Sequence, residues 1–158
     1  MTSPRKVVSG GQTGVDRAAL DAAMAAGIAV GGWCPKGRRA EDGVIGDRYP
    51  LEETPKRDYR QRTEWNVRDS DGTLIVYWGE LQNGTLETVK FARDMHRRPL
   101  LMVNLLEPVD SREAAQWIAD NNIRTLNIAG PRESSRRGIY RMAFDYLKTL
   151  LRETRPHS

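Results

Sequence analysis

The sequence predicts a single α/β domain, a Rossmann-like parallel sheet of about five strands with helices on both faces. Short runs of β-branched and apolar residues alternate along the chain with segments of helical periodicity, an order typical of parallel sheets. Glycine-rich turns follow three of the predicted strands. The length of 158 residues is that of one domain, so we expect residues 1–158 to form one ligand-binding unit.

The first part of the chain is predicted to supply two strands and two helices. The first strand ends at Ser9, and a helix with Ala and Leu at helical spacing follows over residues 15–26. Gly27 has the position of a helix C-cap. A short second strand is expected over residues 28–33. A helix with a thin apolar stripe is expected over residues 57–69, and it could border a polar cavity or remain exposed.

A long segment without periodicity, residues 34–55, separates these elements and is rich in Gly and Pro. A loop of this length in a compact domain usually has a function or lacks order. Its charged residues fit a solvated surface equally well. The functional alternative is a flap that carries Lys36 and Arg38 over a bound anion.

The second half of the chain is predicted to alternate strands and helices to its end. Thr85 is expected to cap the helix after the first of these strands, and Asp110 to open the next helix. A final helix with a strict 3.6-residue period runs from Ile139 to Leu151, and the tail from Arg152 is expected to fray. The predicted strands cover residues 73–78, 100–104 and 125–129.

Composition restricts the function classes. Apolar residues make up 39% and charged residues 29%, no apolar run approaches the ~20 residues of a membrane span, and no signal-peptide core is present, so we expect a cytoplasmic protein without a membrane partner. The single Cys34 suits a reducing compartment, and one Cys with two His argues against a zinc site. A net charge of +4 with dispersed basic residues favours a small anionic ligand over nucleic acid.

The first turn (residues 9–14), between the first strand and the first helix, is the strongest functional motif. Glycine lets an anion approach the backbone, and the helix N-terminus attracts it, so a phosphate cradle is predicted, with a plain strand-to-helix turn as the alternative. Ser9 replaces the first glycine of a dinucleotide fingerprint, and Val15-Asp16 stands where a P-loop has Lys-Ser/Thr. Classical NAD binding and P-loop NTP hydrolysis are therefore disfavoured.

Two further polar turns precede helices, the second turn (residues 79–85) and the third turn (residues 130–135). Because the carboxyl ends of parallel strands share one sheet edge, where α/β proteins bind ligands, all three turns should meet there. Arg132 is expected to point toward the first turn and clamp a phosphate. The predicted ligand-binding residues are Gly10, Gly11, Gln12, Thr13, Gly14, Asp16, Arg17, Lys36, Arg38, Gly79, Asn83, Gly84, Thr85, Gly130, Arg132 and Ser134.

Several motifs together resemble a known family over nearly the whole chain. They are Ser-Gly-Gly-Gln-Thr-Gly-Val-Asp-Arg at residues 9–17, Gly-Trp-Cys-Pro-Lys-Gly at 32–37, Arg-Thr-Glu-Trp-Asn at 62–66 and Asn-Ile-Ala-Gly-Pro-Arg at 127–132. This set resembles the putative molybdenum carrier family, a circularly permuted relative of the lysine-decarboxylase-like, or LOG, superfamily of Rossmann-like proteins. The resemblance implies a homo-oligomer, a dimer or tetramer, that binds molybdenum cofactor (molybdopterin) or another phosphorylated, nucleotide-derived ligand as cargo. Trp33, Trp65 and Tyr59 are candidates for an apolar subunit contact.

An enzymatic alternative stays open at the level of sequence. The LOG enzymes carry Pro-Gly-Gly-x-Gly-Thr-x-x-Glu and cleave the base–ribose bond of nucleotides. Here Gly84-Thr85 is retained, but Gln82-Asn83 replaces the upstream glycine, and Glu87 lies two residues after Thr85 instead of three. Glu87, Glu64 and Asp16 are the candidate carboxylates for such a phosphoribohydrolase. The carrier hypothesis assigns no catalytic residue, and a module that binds a regulatory nucleotide is a third possibility.

Overall fold

A computed structural model describes residues 3–154 of the chain. In chain order its elements are β1 (Lys6–Val8), α1 (Val15–Ala25), β2 (Ala29–Gly31), β3 (Trp33–Cys34), β4 (Arg39–Ala40), β5 (Gly43–Val44), β6 (Glu52–Glu53), α2 (Tyr59–Arg68), β7 (Gly72–Tyr77), α3 (Asn83–Lys90), a π-helical turn (Phe91–Met95), β8 (Leu100–Asn104), α4 (Ser111–Asp120), β9 (Thr125–Ala129) and α5 (Ile139–Glu153).

The main sheet has five strands in the order β2-β1-β9-β7-β8, and every neighbouring pair is parallel. The predicted Rossmann-like α/β fold is therefore confirmed. The strand order places β9 between β1 and β7, so the three strands that end in polar turns are neighbours at the centre of the sheet. Their carboxyl ends lie at one edge, which puts the three turns side by side.

Helices cover both faces of this sheet. One face carries the larger core, in which α1, α4 and α5 pack on alternate strand residues such as Leu74, Leu126 and Ile128. The opposite face carries α2, α3 and the π-helical turn, where Val67 and Phe91 form a smaller cluster. The alternation of strand side chains is what separates the two cores.

Several predicted boundaries are confirmed. β8 and β9 cover the predicted residues, and Gly27 follows the cap residue Ala26 with φ 73°, the left-handed geometry that ends many helices. Asp110 caps α4 by accepting a hydrogen bond from the Arg112 N–H at 2.8 Å. α5 continues to Glu153, beyond the predicted end of the final helix, and residues 155–158 of the predicted tail lie outside the described residues.

Two predictions of local structure are wrong. Thr85 does not cap α3, because the helix begins two residues earlier at Asn83 and Gln82 is its N-cap residue. The predicted second strand is divided, since β2 belongs to the main sheet whereas β3 pairs with β6 in a separate two-stranded sheet. Gly32 lies between them with φ 122° and turns the chain out of the main sheet.

The long loop is folded onto the body of the protein. It contains β6 and the hairpin β4–β5, and Arg38 holds it together, because its guanidinium donates hydrogen bonds to four backbone carbonyls of the loop. Ile45 and Leu51 bury their side chains against α1 in a third cluster around Leu20. Among the described residues, no helix combines the length and the apolar run that a membrane crossing requires.

Candidate functional site

An open cleft of about 410 Å³ lies at the carboxyl edge of the sheet, between the three turns and α2. Its volume is within the range of small-molecule sites, roughly 300–1,000 Å³. Most of the residues that line it have polar side chains, and the full lining is Gly10, Gln12, Asp16, Tyr59, Arg60, Arg62, Thr63, Asn66, Gln82, Asn83, Gly84, Thr85, Glu87, Thr88, Asn127, Ala129, Gly130, Pro131, Arg132 and Ser135.

The N-terminus of α3 forms one wall of the cleft. Within residues 3–154, Gln82 makes no side-chain capping bond, and the N–H groups of Asn83, Gly84 and Thr85 have no hydrogen-bond acceptor. Such first-turn N–H groups carry the positive end of the helix dipole and bind anions. A Cβ added at Gly84 would meet no atom within 4 Å, so the space in front of this helix end is open.

Arg62 reaches the cleft from α2 and is almost completely buried. Its Nη1 donates to the Gly10 carbonyl at 2.9 Å, and its Nε donates to the Thr63 hydroxyl at 3.2 Å. Burial lowers the pKa of Arg62 from its ordinary value, and the neighbouring Asp16 opposes that change. A guanidinium remains charged in proteins, so Arg62 supplies a fixed positive charge to the cleft.

Two more arginines line the cleft at its rim. Arg132, whose side chain is 48% exposed, lies with Nε 3.9 Å from the Glu41 carboxylate. Arg60 lies with Nε 3.3 Å from the carboxylate of Glu87, which is also half-exposed. Exposed pairs of this kind are weak, so both guanidinium groups can turn toward an anion in the cleft.

Asp16 is the buried carboxylate of the cleft and follows the first turn. Its Oδ2 accepts a hydrogen bond from the Gln12 N–H at 3.3 Å and lies 4.0 Å from Arg62 Nη1. Burial raises the pKa of Asp16 to about 6, and the attraction of Arg62 only partly opposes this effect. The group is thus mainly an anion at neutral pH, and it lies beside the Arg62 guanidinium.

The first turn satisfies most of its own N–H groups. Gly11 donates to the Ser9 hydroxyl at 3.4 Å, Gln12 donates to Asp16, and Thr13 donates to the Gln12 side chain at 3.0 Å. These contacts leave the predicted phosphate cradle few donors for a ligand. The Asp16 carboxylate occupies the position that an anion would take in front of this turn.

The glycines of the turns make room for neighbouring parts of the protein. A Cβ at Gly10 would lie 2.6 Å from Arg62 Nη1, and one at Gly11 would lie 2.6 Å from Leu51 Cδ1. A Cβ at Gly14 would lie 2.4 Å from the Pro131 carbonyl, and this carbonyl accepts the Val15 N–H at 3.1 Å. Close packing of the first turn on α2, the long loop and the third turn therefore explains these three positions.

The tip of the hairpin β4–β5 rests on the first and third turns. The Glu41 carboxylate accepts hydrogen bonds from the Ser134 N–H at 3.2 Å, from the Ser134 hydroxyl and from the Thr13 hydroxyl. Beside it, Asp42 binds both Nη atoms of Arg17, at 2.9 and 3.1 Å. The predicted binding groups Thr13, Ser134 and Arg17 are thus engaged by carboxylates of the chain itself.

The structure brings about half of the predicted ligand-binding residues together in the cleft. Arg38 holds the long loop, and Glu64, a candidate catalytic carboxylate, contacts His96 Nε2 at 2.9 Å instead of lining the cleft. The predicted residues that line the cleft are Gly10, Gln12, Asp16, Asn83, Gly84, Thr85, Gly130 and Arg132, together with the alternative Glu87. Those outside its lining are Gly11, Thr13, Gly14, Arg17, Lys36, Arg38, Gly79 and Ser134.

Several residues of the cleft were not predicted from the sequence, above all Arg62 and Asn127. Asn127 is a buried amide in the middle of β9 and donates to the Thr73 hydroxyl at 3.2 Å. A polar residue inside an apolar strand was the available signal for this position. For Arg62 the signal was the thin apolar stripe of α2, which indicates a helix beside a polar cavity.

Comparison with known proteins identifies the family. Residues 7–151 match the family model described as the circularly permutated YpsA SLOG family. The chain belongs to this family. A solved structure of similar fold is titled putative molybdenum carrier protein from Syntrophus aciditrophicus SB, with a TM-score of 0.89 and 44% sequence identity over 95% of this chain and 96% of that chain. No curated protein matches the chain.

The family assignment covers all elements that build the cleft. The matched residues extend from β1 into α5, so the three turns, α2 and α3 all lie inside the family domain. The resemblance expected from the sequence motifs is confirmed at this level. The ligand is a separate question, which depends on the chemistry of the cleft.

Proposed function

We propose that this chain binds a phosphorylated ligand, molybdenum cofactor or a related nucleotide-derived molecule, and carries it as cargo without transforming it. The observation that carries the proposal is the uncapped N-terminus of α3 facing Arg62 and Arg132 across one cleft. The name of the similar solved structure supports a molybdenum-related ligand. In that case the dithiolene of the cofactor holds the molybdenum, and the protein binds the organic part.

The phosphate group belongs at the N-terminus of α3. Three adjacent N–H groups without acceptors can donate to one phosphate, and the helix dipole favours its charge. Residues 3–154 contain no group of three or more His, Cys, Asp or Glu side chains placed to hold a metal ion. The donor set therefore suits a phosphate better than a metal.

The arginines complete the anion site. Arg62 is fixed by its bonds to Gly10 and Thr63, so it is preorganised and loses little entropy on binding. Arg132 is half-exposed, and at 3.9 Å its ion pair with Glu41 is weak. Its side chain can therefore turn into the cleft when an anion arrives. A charge-assisted bond from Arg132 would supply affinity and orientation, and the fixed charge of Arg62 would add attraction across the cleft.

Gly84 provides the experiment, because a side chain there extends into open space. We expect Gly84→Ala to retain binding of a nucleoside monophosphate, since the N–H groups remain accessible. Gly84→Asp places a carboxylate in the first turn of α3, where it stabilises the helix but repels a phosphate. The affinity of Gly84→Asp for the nucleoside monophosphate should fall at least tenfold relative to the wild type, while the melting temperature of the variant is maintained. Calorimetric titration of both variants and the wild type measures the difference.

An unchanged affinity in Gly84→Asp would contradict the phosphate site. Release of free base during the same incubation would contradict a carrier and would favour the phosphoribohydrolase, for which Glu87 and Asp16 are the candidate carboxylates that line the cleft. Native mass spectrometry of protein isolated from cells that synthesise the cofactor would report the mass of the bound ligand and the number of chains. We expect a homo-oligomer with one ligand in each chain.

A further inference from the structure

The two ends of the cleft offer different hydrogen-bonding groups to a ligand. At the β7 end, the N-terminus of α3 offers N–H donors, whereas at the β1 end Asp16 offers a carboxylate. Strands β1 and β7 are separated by β9, so the carboxyl ends of these two strands lie two strand spacings, about 10 Å, apart. A small ligand can therefore contact both ends at once, with different chemical groups.

The β1 end is unfavourable for a phosphate. Asp16 already accepts the Gln12 N–H, and further N–H groups of the first turn are bonded to protein oxygens. The carboxylate would also repel a phosphate placed beside it, an effect that the Arg62 guanidinium 4.0 Å away opposes only in part because it already interacts with Asp16. An anionic group of a ligand is therefore directed away from this end.

The same carboxylate retains acceptor capacity toward the cleft. A carboxylate accepts about four hydrogen bonds, and the contacts of Asp16 with backbone N–H groups and with Arg62 leave some of these positions available. Its side chain is 9% exposed, and Asp16 is part of the cleft lining. It can therefore accept N–H or O–H donors from a ligand.

Two neighbouring amides of the cleft, Asn66 and Gln12, already use their side-chain oxygens within the protein. Asn66 is bonded on both sides to the Trp33 backbone, at 2.8 and 2.9 Å, and Asn127 donates to Thr73. The Gln12 side-chain oxygen accepts the N–H groups of Thr13 and Glu41. Asp16 is thus the buried carboxylate that the described part of the cleft presents to a ligand, whereas the second carboxylate of the lining, Glu87, is half-exposed and pairs with Arg60 at the rim.

We infer that Asp16 determines specificity by accepting hydrogen bonds from an uncharged, donor-bearing end of the ligand while the phosphate lies at the N-terminus of α3. The inference rests on the proposed function, and it assigns an orientation to the bound ligand, with the phosphate at α3 and the donor-bearing end at Asp16. Two kinds of ligand end carry suitable donors: the hydroxyl groups of a ribose, and the adjacent ring N–H and amino groups of an aminopyrimidinone, which guanine and pterins share.

The test compares ligands with and without these donors. Inorganic phosphate, ribose 5-phosphate, inosine monophosphate and guanosine monophosphate are titrated against wild type, Asp16→Asn and the control Asp145→Asn, which removes an exposed carboxylate on α5. In the wild type, one of the donor-bearing ligands should bind at least tenfold more tightly than phosphate. Tighter binding of ribose 5-phosphate than of inorganic phosphate identifies the ribose hydroxyls as the donors. Tighter binding of guanosine than of inosine monophosphate identifies the aminopyrimidinone as the donor group.

In Asp16→Asn, the preferred donor-bearing ligand should lose about tenfold or more in affinity, the range of a hydrogen bond to a charged group. Phosphate should bind equally or more tightly, because a repulsive charge is gone. Asp145→Asn should match the wild type. An equal loss for phosphate and the larger ligand, or no loss for either, would overturn the assignment of Asp16.

The outcomes separate this inference from the proposed function. If the wild type binds phosphate and Gly84→Asp does not, but Asp16→Asn leaves selectivity unchanged, only the role of Asp16 is refuted. If the wild type binds none of the four probes, both proposals are refuted. Should Asp16→Asn fail to fold, the wild-type comparison of the ligands decides, because equal affinity for all four excludes a donor-reading group in the cleft.

Discussion

At the scale of single residues, the buried pair of Asp16 and Arg62 is the energetic centre of the site. Both side chains are 9% exposed and their charged atoms are 4.0 Å apart. Burial raises the pKa of Asp16 and lowers the pKa of Arg62, so for both groups desolvation outweighs their mutual attraction. Pairs of this kind contribute little stability of their own. The buried charges of Asp16 and Arg62 thus cost stability, and they lie in the cleft, where both side chains can interact with a ligand.

This pair predicts a pH dependence of stability. Folding raises the pKa of Asp16 from its ordinary value of 3.8 to about 6, so between these values the native state holds a proton that the unfolded chain has released. The contribution of Asp16 to the free energy of unfolding therefore falls as the pH rises through this window, by about 3 kcal/mol in total. Above pH 6 the Asp16 carboxyl is mainly ionised in the native state as well, and the loss of unfolding free energy approaches its full size.

Asp16→Asn removes the titration. Relative to the variant, the wild type should lose about 2 kcal/mol of unfolding free energy between pH 4.5 and 7.5. Urea unfolding of both proteins at several pH values measures this difference, and the other carboxyl groups cancel in the comparison. Parallel stability curves for the two proteins would show that Asp16 titrates normally.

Arg132 gives a second prediction at this scale. Because its side chain is 48% exposed, Arg132→Ala should change the unfolding free energy by less than about 0.5 kcal/mol. As a phosphate ligand, its loss should weaken binding of a nucleoside monophosphate by about 1.5–3 kcal/mol. Arg132→Lys should recover only part, because the ammonium lacks the planar fork. Calorimetric titration decides, with Arg137→Ala as the control from the same segment, since Arg137 is exposed and does not line the cleft.

At the scale of elements, β8, β9 and the starts of α1, α4 and α5 were predicted more accurately than the start of α3 and the second strand. β8 and β9 are short, mainly apolar runs bounded by polar turns, and their limits follow from that pattern. The start of α3 was missed because Thr85 has the chemistry of a cap, whereas the observed N-cap residue, Gln82, is set by an extended backbone with φ −83° and ψ 161°. The two-residue strands β3 to β6 are too short to show a period.

The elements of the site were partly predictable for a similar reason. The rule that parallel strands share a carboxyl edge placed the three turns together correctly. The spacing of residues in a turn does not determine where their side chains point. The hydrogen bond that Asp16 accepts from the Gln12 N–H of the first turn could therefore not be predicted. Arg62 reaches Gly10 across 52 residues of sequence, and only the packing of α2 over the sheet edge creates that contact.

At the scale of the whole molecule, stability and binding reside on different sides of the sheet. The larger core lies between the sheet and α1, α4 and α5, and it contains the fully buried Leu147. The cleft is formed at the carboxyl edge by the turns together with α2 and α3. A change deep in the core should therefore alter unfolding without altering the affinity for a ligand.

Leu147→Ala tests this separation. A cavity of this kind destabilises by about 2–5 kcal/mol, and for a chain of this size each kcal/mol lowers the melting temperature by roughly 2–4 °C. A nucleoside monophosphate at a hundredfold excess over its dissociation constant should then stabilise wild type and variant equally, by about 2.7 kcal/mol. Thermal unfolding with and without the ligand measures both effects. A ligand-dependent stabilisation that disappears in Leu147→Ala would show that the core of α5 and the cleft are one coupled unit.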